Sequence, residues 1–126
     1  MIIIDSSIYI NWLRLKQSPA LLLHSHARMG DLFICGIVRA EVLRGVTNPL
    51  NKEDLTNFFD LLPEIQTTSA VWHRATELAW ELDRNGIVLP LPDIVIAACA
   101  LIADATVIST DTHFIKIPKL KIRREL

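Results

Sequence analysis

The chain has 126 residues, 51% of them hydrophobic and 21% charged, with 4 Gly, 6 Pro and a formal net charge of −1. This size suits one core and one domain over residues 1–126, and the composition excludes a disordered or low-complexity chain. The 13 basic and 14 acidic residues lack the excess of a typical nucleic-acid binder, so any such binding needs local positive patches.

Residues 1–4 (MIII) form a β-branched run that predicts a buried strand, ending at Asp5 and feeding the helical pattern SSIYINWLRL. A second helix is expected over 19–29, a strand at LFIC (32–35), and a helix in VRAEVLRG that closes at Gly45. Residues 51–62 open with Glu53 and Asp54, which favour a helix start, and 69–85 begin with a Ser cap and end at Asn-Gly. An apolar helix runs from Asp93, followed by the strand TVIS (106–109), a TDTHF turn and the alternating segment LKIR at 120–123. Strands alternating with helices predict an α/β fold, a mostly parallel sheet covered on both faces.

Cys35 and Cys99, the two cysteines, have no CxxC spacing and read as reduced core residues. His24 and His26 point to different faces of a helix, so no zinc site is expected. No apolar run approaches the roughly 18 residues of a membrane span, and MIIID lacks the form of a signal peptide, so no membrane association and a cytoplasmic location are expected.

In open parallel sheets, ligands sit beyond the carboxyl ends of the strands. Asp5 and Asp111 follow strands, Glu41 lies in the helix after the second strand, and Asp93 heads the apolar helix. Crowded carboxylates resist joint ionisation unless a cation fills the space between them, and oxygen-only ligands suit Mg²⁺ or Mn²⁺. Each acid also has a purely structural reading. Asp5 caps the first helix, Glu41 pairs with Arg44, Asp93 favours a helix dipole, and Asp111 forms an Asx turn. His113, beside Asp111, is placed to approach a substrate, but as a turn histidine it reads rather as packed or solvated.

MIIIDSSIYI, VRAEVLRG, and PDIVIAACAL followed by TVISTDTHF resemble a PIN-domain ribonuclease of the VapC toxin type, nearly end to end. Ser109 stands where that pattern has Thr. The resemblance implies a PIN-like α/β/α sandwich and an endoribonuclease in which Asp5, Glu41, Asp93 and Asp111 bind one or two Mg²⁺ or Mn²⁺ ions, with Ser7 and Ser109 in support. It also implies a VapB-like antitoxin partner and a homodimer, for which Trp12 and Trp72 or Trp80 offer candidate surfaces. The C-terminal basic segment, Lys116, Lys119, Lys121, Arg123 and Arg124, is a candidate RNA contact, weighed against an edge strand guarded by charge. The alternatives are an RNA-processing PIN nuclease without antitoxin and a non-catalytic interaction module of the same fold. A phosphoacceptor receiver and a haloacid-dehalogenase-like phosphatase are disfavoured, because only one acid stands in DSS and no Asp follows LFIC.

Overall fold

A computed structural model describes residues 1–126. In chain order the elements are β1 (Ile2–Ile4), α1 (Ser6–Arg14), α2 (Pro19–Leu22), α3 (His24–Met29), β2 (Leu32–Cys35), α4 (Gly36–Arg44) and α5 (Pro49–Leu61). There follow β3 (Glu64–Ile65), α6 (Ser69–Arg84), α7 (Leu91–Ala103), β4 (Thr106–Ile108), a 3₁₀ turn (Phe114–Lys116) and β5 (Lys121–Arg123). The five strands form one sheet in the order β3-β2-β1-β4-β5, and every pairing is parallel. The expected α/β/α class holds, with a sheet that is wholly parallel.

Burial explains the strand sequences. Ile2, Ile3 and Ile4 are all buried, as are Leu32, Ile34, Val107 and Ile108, the pattern of strands covered on both faces. α7 supplies the densest part of the core. Residues 94–100 are buried without interruption, and Ile96, Ala97, Ala98, Cys99 and Ala100 are wholly so. α6 packs along α7, and α1 packs on α4. Cys35 and Cys99 are free and buried, as expected. No helix is long and apolar enough to cross a membrane.

Several local expectations need correction. The helix expected over 19–29 is two, because the chain breaks at Leu23, whose side chain turns wholly into the core. Asn48 caps α5 by accepting from the Leu50 and Asn51 amides, so this helix starts earlier and Glu53 and Asp54 lie beyond its first turn. Thr68, not Ser69, caps α6. α7 begins at Leu91, two residues before the expected start, and Asp93 keeps its expected place in the first turn beside Pro92. Trp72 and Trp80 are exposed, with the Arg84 guanidinium 5.0 Å from the Trp80 ring centre, while Trp12 packs edge-on to Tyr9.

α7 is the rigid backing of the sheet, so Ile96→Ala should cost about 2–5 kcal/mol. Urea unfolding should show a lower midpoint at unchanged m-value; a midpoint within error of the parent would deny α7 that role.

Candidate metal centre

The strand order reverses beside β1: β2 and β3 extend the sheet one way, and β4 and β5 the other. Such a switch point opens a crevice at the carboxyl ends of the two central strands. Asp5 directly follows β1, and Ser109 directly follows β4, in register through Ile4 and Ile108. The Asp5 amide donates to the Ile108 carbonyl at 3.0 Å, which prolongs the ladder to the edge of the crevice.

Asp5 is 1% exposed. Its side chain makes no cap bond to α1. Instead Oδ2 accepts from the Ser7 hydroxyl and from Ser109 Oγ at 2.9 Å. Ser6 Oγ donates to Glu41 Oε1 at 2.9 Å and lies 3.5 Å from Asp5 Oδ1, so it joins β1's acid to the acid of α4. Glu41 therefore faces the crevice and makes no pair with Arg44. Ser6 escaped the sequence reading; the signal available was its place one residue after the strand acid.

On the other side, Asp93 is set by the first turn of α7, and Asp111 by a turn that the chain bonds twice. The Asp111 amide donates to Ser109 Oγ at 2.9 Å, and the His113 amide donates to Asp111 Oδ1 at 2.9 Å. The second of these is the Asx turn expected at Asp111. Fully buried Phe114 pins the turn to the core. His113, read from sequence as packed or solvated, has its Nδ1 2.8 Å from Asp93 Oδ2 and 3.3 Å from Asp111 Oδ1. Asp93, Asp111 and His113 offer three ligand atoms all within 4.8 Å of one another.

The acids thus fall into two pairs, Asp5 with Glu41 through Ser6 and Asp93 with Asp111 through His113, and Ser109 touches both. No Lys or Arg pairs with any of the four. Burial is the main cause that raises the Asp93 carboxyl above the usual carboxylate range; the His113 bond opposes it, and the charges of Asp5 and Asp111 add to it. Oxygen-rich, crowded and short of positive charge, this donor set fits a hard divalent cation.

The basic segment divides. Lys121 lies opposite Thr106 at the amino end of β4 and pairs with Asp104 at 2.8 Å. Arg123 lies opposite Ile108 at the carboxyl end, its carbonyl accepting from the Ser109 amide at 3.0 Å. Arg124 lines a groove of about 480 Å³ with Ser7, Asn11, Trp12, Arg14 and Thr110.

The sequence profile of the PIN domain matches residues 2–120. The fold is similar to the crystal structure of VapBC2 from Rickettsia felis bound to a promoter DNA fragment, at TM-score 0.80 and 26% identity over 98% of each chain. It is also similar to DNA-bound VapBC from Salmonella typhimurium, at TM-score 0.79 and 19% identity over 97% of this chain and 96% of that one. VapBC-5 from Mycobacterium tuberculosis, described as a member of the VapBC family of toxin-antitoxin systems, matches at TM-score 0.63 and 15% identity over 96% and 94%. No curated protein matches the chain by sequence at a significant level.

A carboxyl whose folded pKa is raised contributes stability below its unfolded pKa, and that stability is lost as pH rises through the folded value. Charged Asp93 therefore burdens the ion-free fold at neutral pH. In EDTA, Asp93→Asn should raise Tm at about pH 7 by on the order of 3 °C, and the gain should vanish well below the ordinary Asp pKa of about 3.9. A pH-independent difference would refute the charge origin.

Proposed function

The chain belongs to the PIN-domain family, and on that footing we propose that it is a metal-dependent endoribonuclease, the toxin of a type II toxin-antitoxin pair. One observation carries the nuclease reading: four carboxylates from four elements gather at the switch point with no Lys or Arg among them. Asp5, Glu41, Asp93 and Asp111 would hold one or two Mg²⁺ or Mn²⁺ ions. Bound there, the ion would supply Lewis acidity toward a phosphoryl oxygen and lower the pKa of water.

The chain's own residues supply position. The Ser7 and Ser109 hydroxyls occupy Asp5 Oδ2 and leave Oδ1 with only the 3.5 Å approach of Ser6. Ser109 Oγ also accepts from the Asp111 amide, so one hydroxyl aligns acids on both sides. α7 presents Asp93 from a buried helix, the kind of rigid support that a reacting geometry needs.

RNA is the substrate class that the family resemblance supports. Arg123 and Arg124 stand at the acidic end of the sheet, while Lys121 is held by Asp104 at the other. The two arginines and the groove beside Ser7 are therefore the better placed phosphate contacts, ahead of Lys119 and Lys121. The antitoxin reading rests on the VapBC neighbours and on the acidic crevice, which attracts a basic side chain of a partner. A second depression of about 730 Å³, bordered by Ile10, Leu13, Val42, Val46 and Leu55, offers that partner apolar surface. The homodimer is carried by the resemblance, with the exposed Trp72 and Trp80 as surface for a second copy.

Cleavage of a loop-containing RNA should require Mg²⁺ or Mn²⁺ and stop in EDTA. Asp5→Asn and Asp93→Asn should fall to the EDTA level, and Ser109→Ala should lose about 10–100-fold. Full turnover by Asp93→Asn with Mn²⁺ supplied, or equal cleavage of matched DNA, would refute the reading. Co-expression with a neighbouring small reading frame should yield a complex that survives size exclusion; separate elution would remove the toxin assignment and leave a free-standing nuclease.

The RNA surface is tested by salt. In an Asp5→Asn background, Arg123→Ala with Arg124→Ala should flatten the plot of log affinity against log salt by about 1.4, at roughly 0.7 per lost phosphate contact. Lys119→Ala with Lys121→Ala should change it by less than about 0.7. The reverse ranking would return the binding surface to the lysines.

A further inference from the structure

Among the groups that face the acidic crevice, His113 is the only nitrogen donor bonded to the acids. Its Nδ1 lies 2.8 Å from one oxygen of Asp93 and 3.3 Å from one of Asp111. These spacings bracket those of neighbouring ligands on an octahedral ion, where bonds of about 2.0–2.1 Å put adjacent donors about 3 Å apart. Nor is the ring loosely held. Its own amide is bound to Asp111 Oδ1, and Phe114, the next residue, is wholly buried.

The two halves of the centre therefore differ in chemistry. Around Asp5 and Glu41 the bonded side-chain groups are the hydroxyls of Ser6, Ser7 and Ser109, an all-oxygen environment. Around Asp93 and Asp111 there are two carboxylates and an imidazole. Mg²⁺ takes oxygen ligands and keeps its waters, whereas imidazole suits transition metals.

We propose that His113 Nδ1 is a direct ligand to a divalent ion held with Asp93 and Asp111, and that this mixed nitrogen-oxygen position favours Mn²⁺ over Mg²⁺. The proposal rests on the metal-dependent nuclease reading and adds to it a ligand and a metal preference. Ligation uses the Nδ1 lone pair, so with the ion bound any proton on the ring sits on Nε2. The competing role is indirect: the imidazole stays hydrogen-bonded to Asp93 and only orients it, as partners of ligating carboxylates do.

Pulsed electron paramagnetic resonance of the full chain loaded with Mn²⁺ separates the two roles, because ¹⁴N modulation of the electron spin echo reports a directly bound imidazole. The wild-type protein should show the modulation, and His113→Gln and His113→Ala should lack it while still binding Mn²⁺. Calorimetric titrations with each metal alone should show the Mn²⁺-over-Mg²⁺ affinity ratio falling in both variants, by on the order of tenfold, because the lost nitrogen ligand served Mn²⁺ better than Mg²⁺. Because His26 lies beside Asp31, the comparison is repeated in a His26→Gln background, where the modulation should persist, and the binding site is identified by loss of binding in Asp93→Asn. Mn²⁺ bound at Asp93 without ¹⁴N modulation would overturn direct ligation and leave the nuclease reading standing. Modulation that survives in His113→Gln would overturn it too. Failure of Mn²⁺ to bind in any form would overturn both.

Discussion

Carboxylates repel, and in this fold four of them are carried to one edge of the sheet by elements that cannot move apart. Asp5 ends the central strand, Asp111 lies in the turn that follows its neighbour, Asp93 sits in a helix whose next seven residues are buried, and Glu41 is tied to α1 by Ser6. The cost is visible at Asp93, where burial and two nearby acids oppose ionisation. A parallel sheet buried on both faces makes such crowding possible, because its strands are fixed by packing that does not depend on what happens at their ends.

The groups chosen to bind these acids are informative. A Lys or Arg would neutralise the crevice permanently, and the desolvated pair would then resist a competing cation. Hydroxyls instead satisfy the lone pairs of Asp5 and leave its charge intact. Two serines, Ser7 and Ser109, do this at Asp5, and Ser109 also reaches across the switch point to order the Asp111 turn. His113 is the one nitrogen-bearing side chain within bonding distance of the acids, and its ring nitrogens, unlike a Lys or Arg head group, can serve as metal ligands. The result is a geometry held firmly around a charge deficit.

The sheet was legible because III, LFIC and TVI are β-branched or apolar runs, each ending where a turn or helix pattern begins. β3 was not, since its two residues follow Pro63 and pair with β2 only once the tertiary structure brings them together. The break at Leu23 carries no Gly or Pro; the core demands it, and no local signal announces it. At the centre, the positions of Asp5 and Asp111 after strands and of Asp93 at a helix start could be read, because strand ends in a parallel sheet share one edge, while Glu41 lies within α4. The connections among the acids could not. Whether Ser6 faces Glu41, or whether the His113 ring folds back on Asp93, depends on side-chain directions in a tight turn, which spacing alone leaves open.

The charges of β5 follow the same polarity as the acids. Lys121 and Arg123 are both exposed on an edge strand, two residues and so about 7 Å apart, and both serve to guard that edge against foreign pairing. Their surroundings differ by the end of the sheet each occupies. At the amino end Lys121 meets Asp104, the left-handed residue that closes α7, and is paired. At the carboxyl end Arg123 and Arg124 enter no ion pair, although four carboxylates gather at that same end of the sheet. Crowding burdens the acids, as the raised Asp93 carboxyl shows, whereas the exposed arginines stay solvated and free to meet a partner. A divalent cation would relieve the acids while the arginines remain open to a polyanion, and for that reason this edge suits the proposed phosphodiester substrate with its metal ion.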